Sequence, residues 1–166
     1  MRKTVIGVMG GSVADERTKG VARELGRLIA EHGWVLISGG RPTGVMQASV
    51  TGAHEAGGLT VGVLFDDDHD LAAEGLDIVI PSGMGAARNI INVLASDVVV
   101  ACRGTGGTLS EIAMALRFQR PVVLLDFDPG AAFLDAGSPD PVWSLADTPE
   151  EAVQQIRGYL KELGRS

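Results

Sequence analysis

The sequence has a single cysteine, Cys102, so it cannot form an internal disulfide or a metal site built from several thiolates. It also lacks any apolar run that approaches the roughly 18 residues needed to cross a bilayer. Near the N-terminus, the apolar stretch at 5–9 ends at Gly10-Gly11, too soon for the hydrophobic region of a signal peptide. These absences favour a cytoplasmic protein with no membrane partner.

Positive charge and aromatic side chains are also scarce. The net charge is −7, and aromatic residues make up 4% of the 166 residues. A nucleic-acid surface needs a basic face, and binding of single strands relies on aromatic rings for stacking. The sequence therefore predicts no nucleic-acid partner.

Glycine and hydrophobic residues, by contrast, are abundant. The chain has 23 glycines and 45% hydrophobic residues, and its length suits a single domain spanning 1–166. Short apolar runs alternate with helical patterns, which indicates a parallel sheet covered on both faces. We therefore predict an α/β fold with a Rossmann-like, doubly wound parallel sheet and helices on both faces.

The predicted elements follow from hydrophobic periodicity and from the glycines and prolines at their ends. Strands are predicted near 4–9, 34–38, 59–65, 77–80, 97–102 and 121–125. Helices are predicted near 18–32, 45–56, 86–95 and 109–116, and a last helix is capped by Thr148 and begins at Pro149. Residues 127–145 include five prolines and glycines and are interpreted as a long loop that could include a short helical turn.

Three glycine-rich turns follow predicted strands, and in a parallel sheet they would share the edge formed by the carboxyl ends. Glycine lets the backbone approach a ligand closely, and the N-terminus of the next helix offers N–H groups and a positive dipole end. We therefore predict that these turns bind the phosphate of a small phosphorylated molecule. The candidate phosphate- or nucleotide-binding residues are Gly10, Gly11, Ser12, Gly39, Gly40, Arg41, Gly44, Arg103, Gly104, Thr105, Gly106, Gly107 and Thr108.

Three arginines, Arg41, Arg88 and Arg103, stand at or near these turns in a chain with few positive charges. A guanidinium group pairs bidentately with phosphate, although each arginine could instead cap a loop or pair with a surface carboxylate. Glu111 also has two interpretations. The pattern Thr108-Leu109-Ser110-Glu111 fits a capping box, in which the glutamate bonds the N-cap N–H. Alternatively, Glu111 lies at the mouth of the phosphate site and works as an acid or base.

Other kinds of site are less well supported. The first glycine turn is not a full G-x-G-x-x-G, and the second predicted strand contains no acidic residue that could bind a ribose. Classical NAD binding is therefore not expected. The acidic segment 66–70 is interpreted as a solvated loop, so no metal site is predicted.

The residues around the glycine turns resemble the Lonely Guy (LOG) family, whose members were once misnamed lysine decarboxylases. Segment 38–46 looks like the family's GG-x-x-x-G-L-M motif, and segment 104–111 looks like its PGG-x-GT-x-x-E motif. Arg88 matches the arginine of the M-x-x-RK segment. The resemblance covers nearly the whole chain, from Val5 to the last helix.

This resemblance implies a homodimer or higher homo-oligomer, with active sites that involve both subunits. It also implies hydrolysis of the N-glycosidic bond of a nucleoside 5′-monophosphate, which releases the free base and ribose 5-phosphate and requires no cofactor. By matched position, Arg88 and Glu111 would be the catalytic pair, and Gly104, Gly107 and Thr108 would hold the phosphate. A carboxylate suits this reaction because positive charge builds on the ribose as the bond breaks.

The sequence departs from the LOG motifs at several points. Arg103 replaces the proline, Thr105 replaces a glycine, and Asn89 replaces the lysine that follows Arg88. In these features the chain is more similar to a sister branch that includes molybdenum-cofactor carrier proteins, which bind a phosphorylated pterin without acting on it. Two hypotheses follow. The first is a phosphoribohydrolase, and the alternative is a non-catalytic carrier or sensor of a phosphate, nucleotide or molybdopterin-type ligand.

Overall fold

The chain folds around one parallel β-sheet in the computed structural model, which describes residues 2–165. The sheet has seven strands in the order β4-β3-β2-β1-β5-β6-β7. The strands are β1 (Val5–Met9), β2 (Val35–Ser38), β3 (Thr60–Leu64), β4 (Ile78–Pro81), β5 (Val98–Ala101), β6 (Val122–Leu125) and β7 (Trp143–Ala146). The helices are α1 (Glu16–Glu31), α2 (Gly44–Glu55), α3 (Asn89–Ala95), α4 (Gly106–Arg117), α5 (Ala131–Ala136) and α6 (Pro149–Glu162). Two 3-10 turns lie at His69–Leu71 and Gly85–Arg88.

The strand order reverses at β1, which pairs with β2 on one side and with β5 on the other. The chain builds β1 to β4 outward in one direction and then returns to place β5 beside β1. At such a switch point the loops that leave neighbouring strands diverge and open a crevice outside the carboxyl ends of the strands. The topology therefore creates a crevice between the loops that follow β1 and β5.

Two hydrophobic layers cover the sheet, one on each face. Helices α1, α2 and α6 supply Leu25, Val50 and Ile156 to one layer, where all three are fully buried. Helices α4 and α5 supply Ile112 and Leu134 to the other layer, where both are fully buried. Because helices cover both faces, the central strands are continuous apolar runs, as a buried parallel sheet requires.

The predicted fold class is confirmed, and the six predicted strands and five predicted helices are present with small shifts at their ends. The long loop predicted at 127–145 is wrong in part: it contains α5, in agreement with the short helical turn that the prediction allows, but it also contains the start of the edge strand β7, which the prediction does not include. Strand β7 has only four residues, and its Trp143, Ser144 and Leu145 are partly or largely exposed. It therefore lacks the continuous apolar run that identifies the central strands.

Two further features of the structure concern its cysteine and its helices. Cys102 lies in the hydrophobic core at the end of β5, where burial raises the pKa of its thiol to about 12. It therefore packs as a small apolar side chain. Between residues 2 and 165, the helices are all too short or too polar to cross a membrane.

Candidate functional site

A cleft of about 540 Å³ lies at the carboxyl edge of the sheet, where the three glycine turns meet. Main-chain hydrogen bonds join the turns. The N–H of Gly11 donates to the carbonyl oxygen of Arg103 (3.0 Å), and the N–H of Val45 donates to the carbonyl oxygen of Gly11 (3.0 Å). The turn after β1 is therefore bonded to both of the other turns, and the three loops form one continuous wall.

Most of the residues that the sequence predicts to bind phosphate or to act in catalysis line this cleft. The predicted residues in its lining are Gly10, Gly11, Ser12, Gly39, Arg41, Arg88, Thr105, Gly107, Thr108 and Glu111. The predicted residues outside its lining are Gly40, Gly44, Arg103, Gly104 and Gly106. The structure therefore brings ten of the fifteen predicted residues together in one cleft and leaves the other five outside its lining.

Three of the residues outside the lining, Gly44, Gly104 and Arg103, shape the glycine turns. Gly44 begins α2 with φ +53°, and a Cβ atom at this position would collide with the carbonyl oxygen of Gly11. A Cβ atom at Gly104 would collide with the side chain of Thr108. Arg103 is exposed, and its carbonyl group serves the turn by accepting the bond from Gly11.

The N-terminus of α4 faces the cleft. The helix begins at Gly106, three residues earlier than expected, because Thr105 takes the extended N-cap conformation (φ −114°, ψ −151°). Of the two interpretations of Glu111, the capping box is therefore wrong, since Thr108 and Glu111 both lie inside the helix. The Thr105 side chain makes no capping hydrogen bond. The N–H groups of the first turn and the positive end of the helix dipole are thus available to an anion.

Arg88 reaches the cleft from the 3-10 turn that precedes α3. Only 8% of its surface is exposed, and its guanidinium lies against the backbone of Gly39, where a Cβ atom would come within 2.5 Å of Nη1. Nη1 donates to Oδ1 of Asn89 (3.0 Å), while Nε has no hydrogen-bond partner among residues 2–165. Burial lowers the pKa of Arg88, but an arginine stays charged at physiological pH. The site therefore contains a buried cation with an unused donor.

Glu111 extends from the second turn of α4 and faces Arg88. Its Oε1 lies 3.9 Å from Nη1 of Arg88, which is an ion pair too long for a direct hydrogen bond. The Glu111 side chain is 7% exposed, and burial raises its pKa to about 7, although the positive charge of Arg88 opposes the rise. A large fraction of Glu111 is therefore protonated at neutral pH.

Asn92 of α3 is fully buried beside this pair. With its amide oriented to satisfy both neighbours, its nitrogen donates to the carbonyl oxygen of Ser38 (3.3 Å), and its oxygen accepts from Nη1 of Arg88 (3.3 Å). Asn92 therefore ties the guanidinium of Arg88 to the end of β2.

Arg41 supplies a second positive charge to the cleft and is more exposed than Arg88. Its Nη1 lies 3.5 Å from Oδ2 of Asp66, and its side chain is 39% exposed. Arg41 is close enough that its charge adds to the effect of burial in lowering the pKa of Arg88. Arg88 and Arg41 therefore lie near two acidic side chains. One is the carboxylate of Asp66, and the other is the carboxyl group of Glu111, which is largely protonated below pH 7.

Sequence reasoning missed several side chains that line the cleft, among them Met46, Phe65 and Asn89. Phe65 follows β3 directly, just as the glycine turns follow β1, β2 and β5. The rule that parallel strands share one carboxyl edge could have found it. Asn89 attracted notice only as a departure from a motif, and its contact with Arg88 depends on the 3-10 turn.

The acidic segment 66–70 stabilises local structure. The Asp68 carboxylate accepts a hydrogen bond from the N–H of Asp70 (2.9 Å) and caps the 3-10 turn. Within residues 2–165, no three His, Cys, Asp or Glu side chains come together in a way that could hold a metal ion.

The sequence pattern of the SLOG cluster4 family matches residues 3–153. The chain belongs to the SLOG cluster4 family. The LOG-like resemblance predicted from the motifs is thereby confirmed, and the fold is shared with solved structures of similar proteins.

Two solved structures and one further relative are similar to this SLOG protein. The molybdenum cofactor binding protein of the phototrophic bacterium Rippkaea orientalis is 45% identical, with a TM-score of 0.90 over 96% of this chain and 99% of that one. The molybdenum cofactor carrier protein of Chlamydomonas reinhardtii is 41% identical, with a TM-score of 0.87 and the same coverage. An uncharacterised protein of Archaeoglobus fulgidus is 46% identical over 125 residues, which are 75% of this chain and 82% of that protein.

Proposed function

We propose that this protein is a carrier that binds the molybdenum cofactor, or a closely related phosphorylated pterin, in the cleft at the carboxyl edge of the sheet. The observation that carries the proposal is the similarity to two molybdenum-cofactor proteins, 45% and 41% identical over 96% of this chain. The cleft volume of about 540 Å³ supports it, since small-molecule sites occupy roughly 300 to 1,000 Å³.

The N-terminus of α4 is the expected place for the phosphate of this ligand. Thr105, Gly107 and Thr108 line the cleft there, and the helix end carries about half a positive charge. Arg88 adds a full positive charge and an Nε donor that has no partner among residues 2–165. A guanidinium group suits phosphate because its planar donors match the phosphate oxygens.

The residues of the cleft fit the organic part of such a ligand and offer little to its metal. Cys102 is buried in the core, and no cluster of three metal-binding side chains occurs within residues 2–165. A molybdenum ion would therefore have to arrive with ligands of its own, as it does when bound to a cofactor. The protein would hold the phosphate and the ring, and it would release its cargo without breaking a covalent bond.

The test of this proposal is direct binding with a parallel assay for chemistry. Isothermal titration calorimetry with a phosphorylated pterin should show saturable binding, and mixtures with nucleoside 5′-monophosphates should release no free base. Arg88→Met should weaken pterin binding about tenfold or more, because a charged hydrogen bond is lost. Arg117→Met removes the same charge from the far end of α4 and should have little effect. Release of base from any nucleotide would contradict a carrier without activity.

The phosphoribohydrolase is the second candidate function, and the pairing of Arg88 with Glu111 favours it. A carboxylate held near the bound sugar would stabilise the positive charge that develops as the N-glycosidic bond breaks. If base is released, Glu111→Gln should abolish the release while leaving the thermal unfolding of the protein cooperative. Release that persists in this variant would remove Glu111 from the mechanism.

We also propose that the protein is a homo-oligomer, as the LOG-like family resemblance implies. Ile78 and Ile80 alternate along the edge strand β4 and are 45% and 42% exposed. Residues two apart in a strand share one face, so these two side chains form an exposed apolar pair. Exposed apolar surface of this kind is typical of contacts between proteins.

A further inference from the structure

Among the residues that the structure describes, Phe65 is the one aromatic side chain that lines the cleft. It is 42% exposed, in a chain where aromatic residues make up 4% of the total. An exposed ring at the edge of a ligand cleft offers a flat apolar surface, which planar heterocycles recognise by stacking.

Main-chain hydrogen bonds hold Phe65 in place. The N–H of Gly85 donates to the carbonyl oxygen of Phe65 (3.0 Å), and the N–H of Gly83 donates to the carbonyl oxygen of Asp66 (3.1 Å). A Cβ atom at Gly85 would lie 3.6 Å from Cζ of the ring, so this backbone packs against it. The segment that supports Phe65 continues into the 3-10 turn that carries Arg88.

The strand order sets the distance between Phe65 and the phosphate-binding end of the cleft. Phe65 follows β3, whereas the turn that leads into α4 follows β5, and β2 and β1 lie between these strands. Neighbouring strands lie about 4.8 Å apart, so three spacings separate the ends of β3 and β5 by about 14 Å. Phosphopterins and nucleotides carry their ring and their phosphate at opposite ends, so such a ligand would lie along this edge with its ring toward Phe65 and its phosphate toward α4.

We propose that Phe65 is the stacking platform for the heteroaromatic ring of the ligand, whose phosphate lies at the N-terminus of α4. This inference rests on the proposed binding of a phosphorylated pterin. The ligand then spans the carboxyl edge of the sheet from β5 to β3 and passes Arg88 and Arg41. Phe65 selects for a planar ring, while the α4 end selects for phosphate.

The experiment compares a ligand that has a ring with one that lacks it. Phosphorylated neopterin, which is fluorescent, and ribose 5-phosphate are titrated into the wild-type protein and into Phe65→Leu and Phe65→Tyr. Phe65→Leu should weaken binding of phosphorylated neopterin about tenfold, because stacking is lost. The affinity of Phe65→Leu for ribose 5-phosphate should equal that of the wild type. Phe65→Tyr keeps the ring and should restore both the affinity and the quenching of pterin fluorescence that stacking produces.

The outcomes separate this inference from the proposed function. If Phe65→Leu binds phosphorylated neopterin as tightly as the wild type does, the stacking platform is refuted while the carrier proposal stands. If Phe65→Leu loses the same affinity for phosphorylated neopterin and for ribose 5-phosphate, the stacking platform is also refuted, because the substitution would then disturb the whole cleft. If the wild type binds no phosphorylated neopterin, the carrier proposal fails and the inference fails with it.

Discussion

Replacing Glu111 with glutamine should remove a pH dependence from the stability of the folded protein. Burial raises the pKa of Glu111 to about 7 in the folded state, from an ordinary value of 4.5. Between these values the folded protein keeps a proton that the unfolded chain has released, so stability falls as the pH rises. The contribution of this proton to the free energy of unfolding is fully present below pH 4.5 and is lost as the pH rises through 7.

The size of this effect follows from the two pKa values. Each pKa unit between the folded and unfolded states is worth about 1.4 kcal/mol, so the full effect is about 3 kcal/mol. The wild type should have lost about 1 kcal/mol of stability by pH 5 and about 3 kcal/mol by pH 8. Glutamine resembles the protonated carboxyl and does not ionise. Arg88 faces a neutral group in both proteins, so the free energy of unfolding of Glu111→Gln should equal that of the wild type with Glu111 protonated.

The assay is urea denaturation of wild type and variant at several pH values between 4.5 and 8. Glu111→Gln should be nearly as stable as the wild type at the acidic end and about 3 kcal/mol more stable at pH 8. Glu74→Gln, which changes an exposed carboxylate outside the cleft, is the matched control and should follow the wild-type profile. Parallel pH profiles for wild type and Glu111→Gln would refute the reasoning, since the carboxyl would then titrate normally in the folded protein.

Three other substitutions test the cleft and the proposed interface. Gly39→Ala would push a methyl group to about 2.5 Å from Nη1 of Arg88 and should weaken phosphopterin binding by calorimetry. The control is Gly20→Ala, whose added methyl group would meet nothing within 4 Å. If Gly39→Ala and Gly20→Ala bind the phosphopterin equally tightly, the packing argument is contradicted. Arg88→Lys keeps the charge but loses the planar donors, so affinity should fall about tenfold, and full retention would argue against bidentate binding. Ile80→Glu should shift the protein toward the monomer, as measured by light scattering. An unchanged mass would exclude this face of β4 from the interface between subunits.

The sheet and its ligand edge were predictable because buried parallel strands are continuous apolar runs and glycine turns mark their ends. The start of α4 was not predictable in the same way. Gly106 and Gly107 have poor helix propensity, so they hide the first turn of the helix, and Thr108 then imitates an N-cap three residues before Glu111. Local pattern favoured the wrong interpretation because the residue three positions after the true N-cap, Thr105, is Thr108 and not a glutamate.

The environment of Glu111 could not be predicted from spacing. Its burial depends on α3, which brings Arg88 and Asn92 against α4 from about twenty residues away in the sequence. The position of Phe65 depends similarly on the strand order, which places the end of β3 on the same edge as the glycine turns. Motifs therefore identified residues that line the cleft beside the N-terminus of α4, whereas the positions of Glu111 and Phe65 arise from tertiary packing.

The protonation of Glu111 bears on the choice between carrier and hydrolase. A protonated carboxyl does not repel the phosphate of a ligand, and it leaves more of the positive charge of Arg88 to attract that phosphate. A hydrolase would need Glu111 as a carboxylate, since only the charged form stabilises positive charge on the ribose. Because burial raises the pKa of Glu111 to about 7, the charge in the cleft would favour the proposed anion binding below pH 7 and a hydrolysis reaction above it. The same buried group would therefore give the two candidate functions opposite dependence on pH, and its neutral form is the one that suits a carrier.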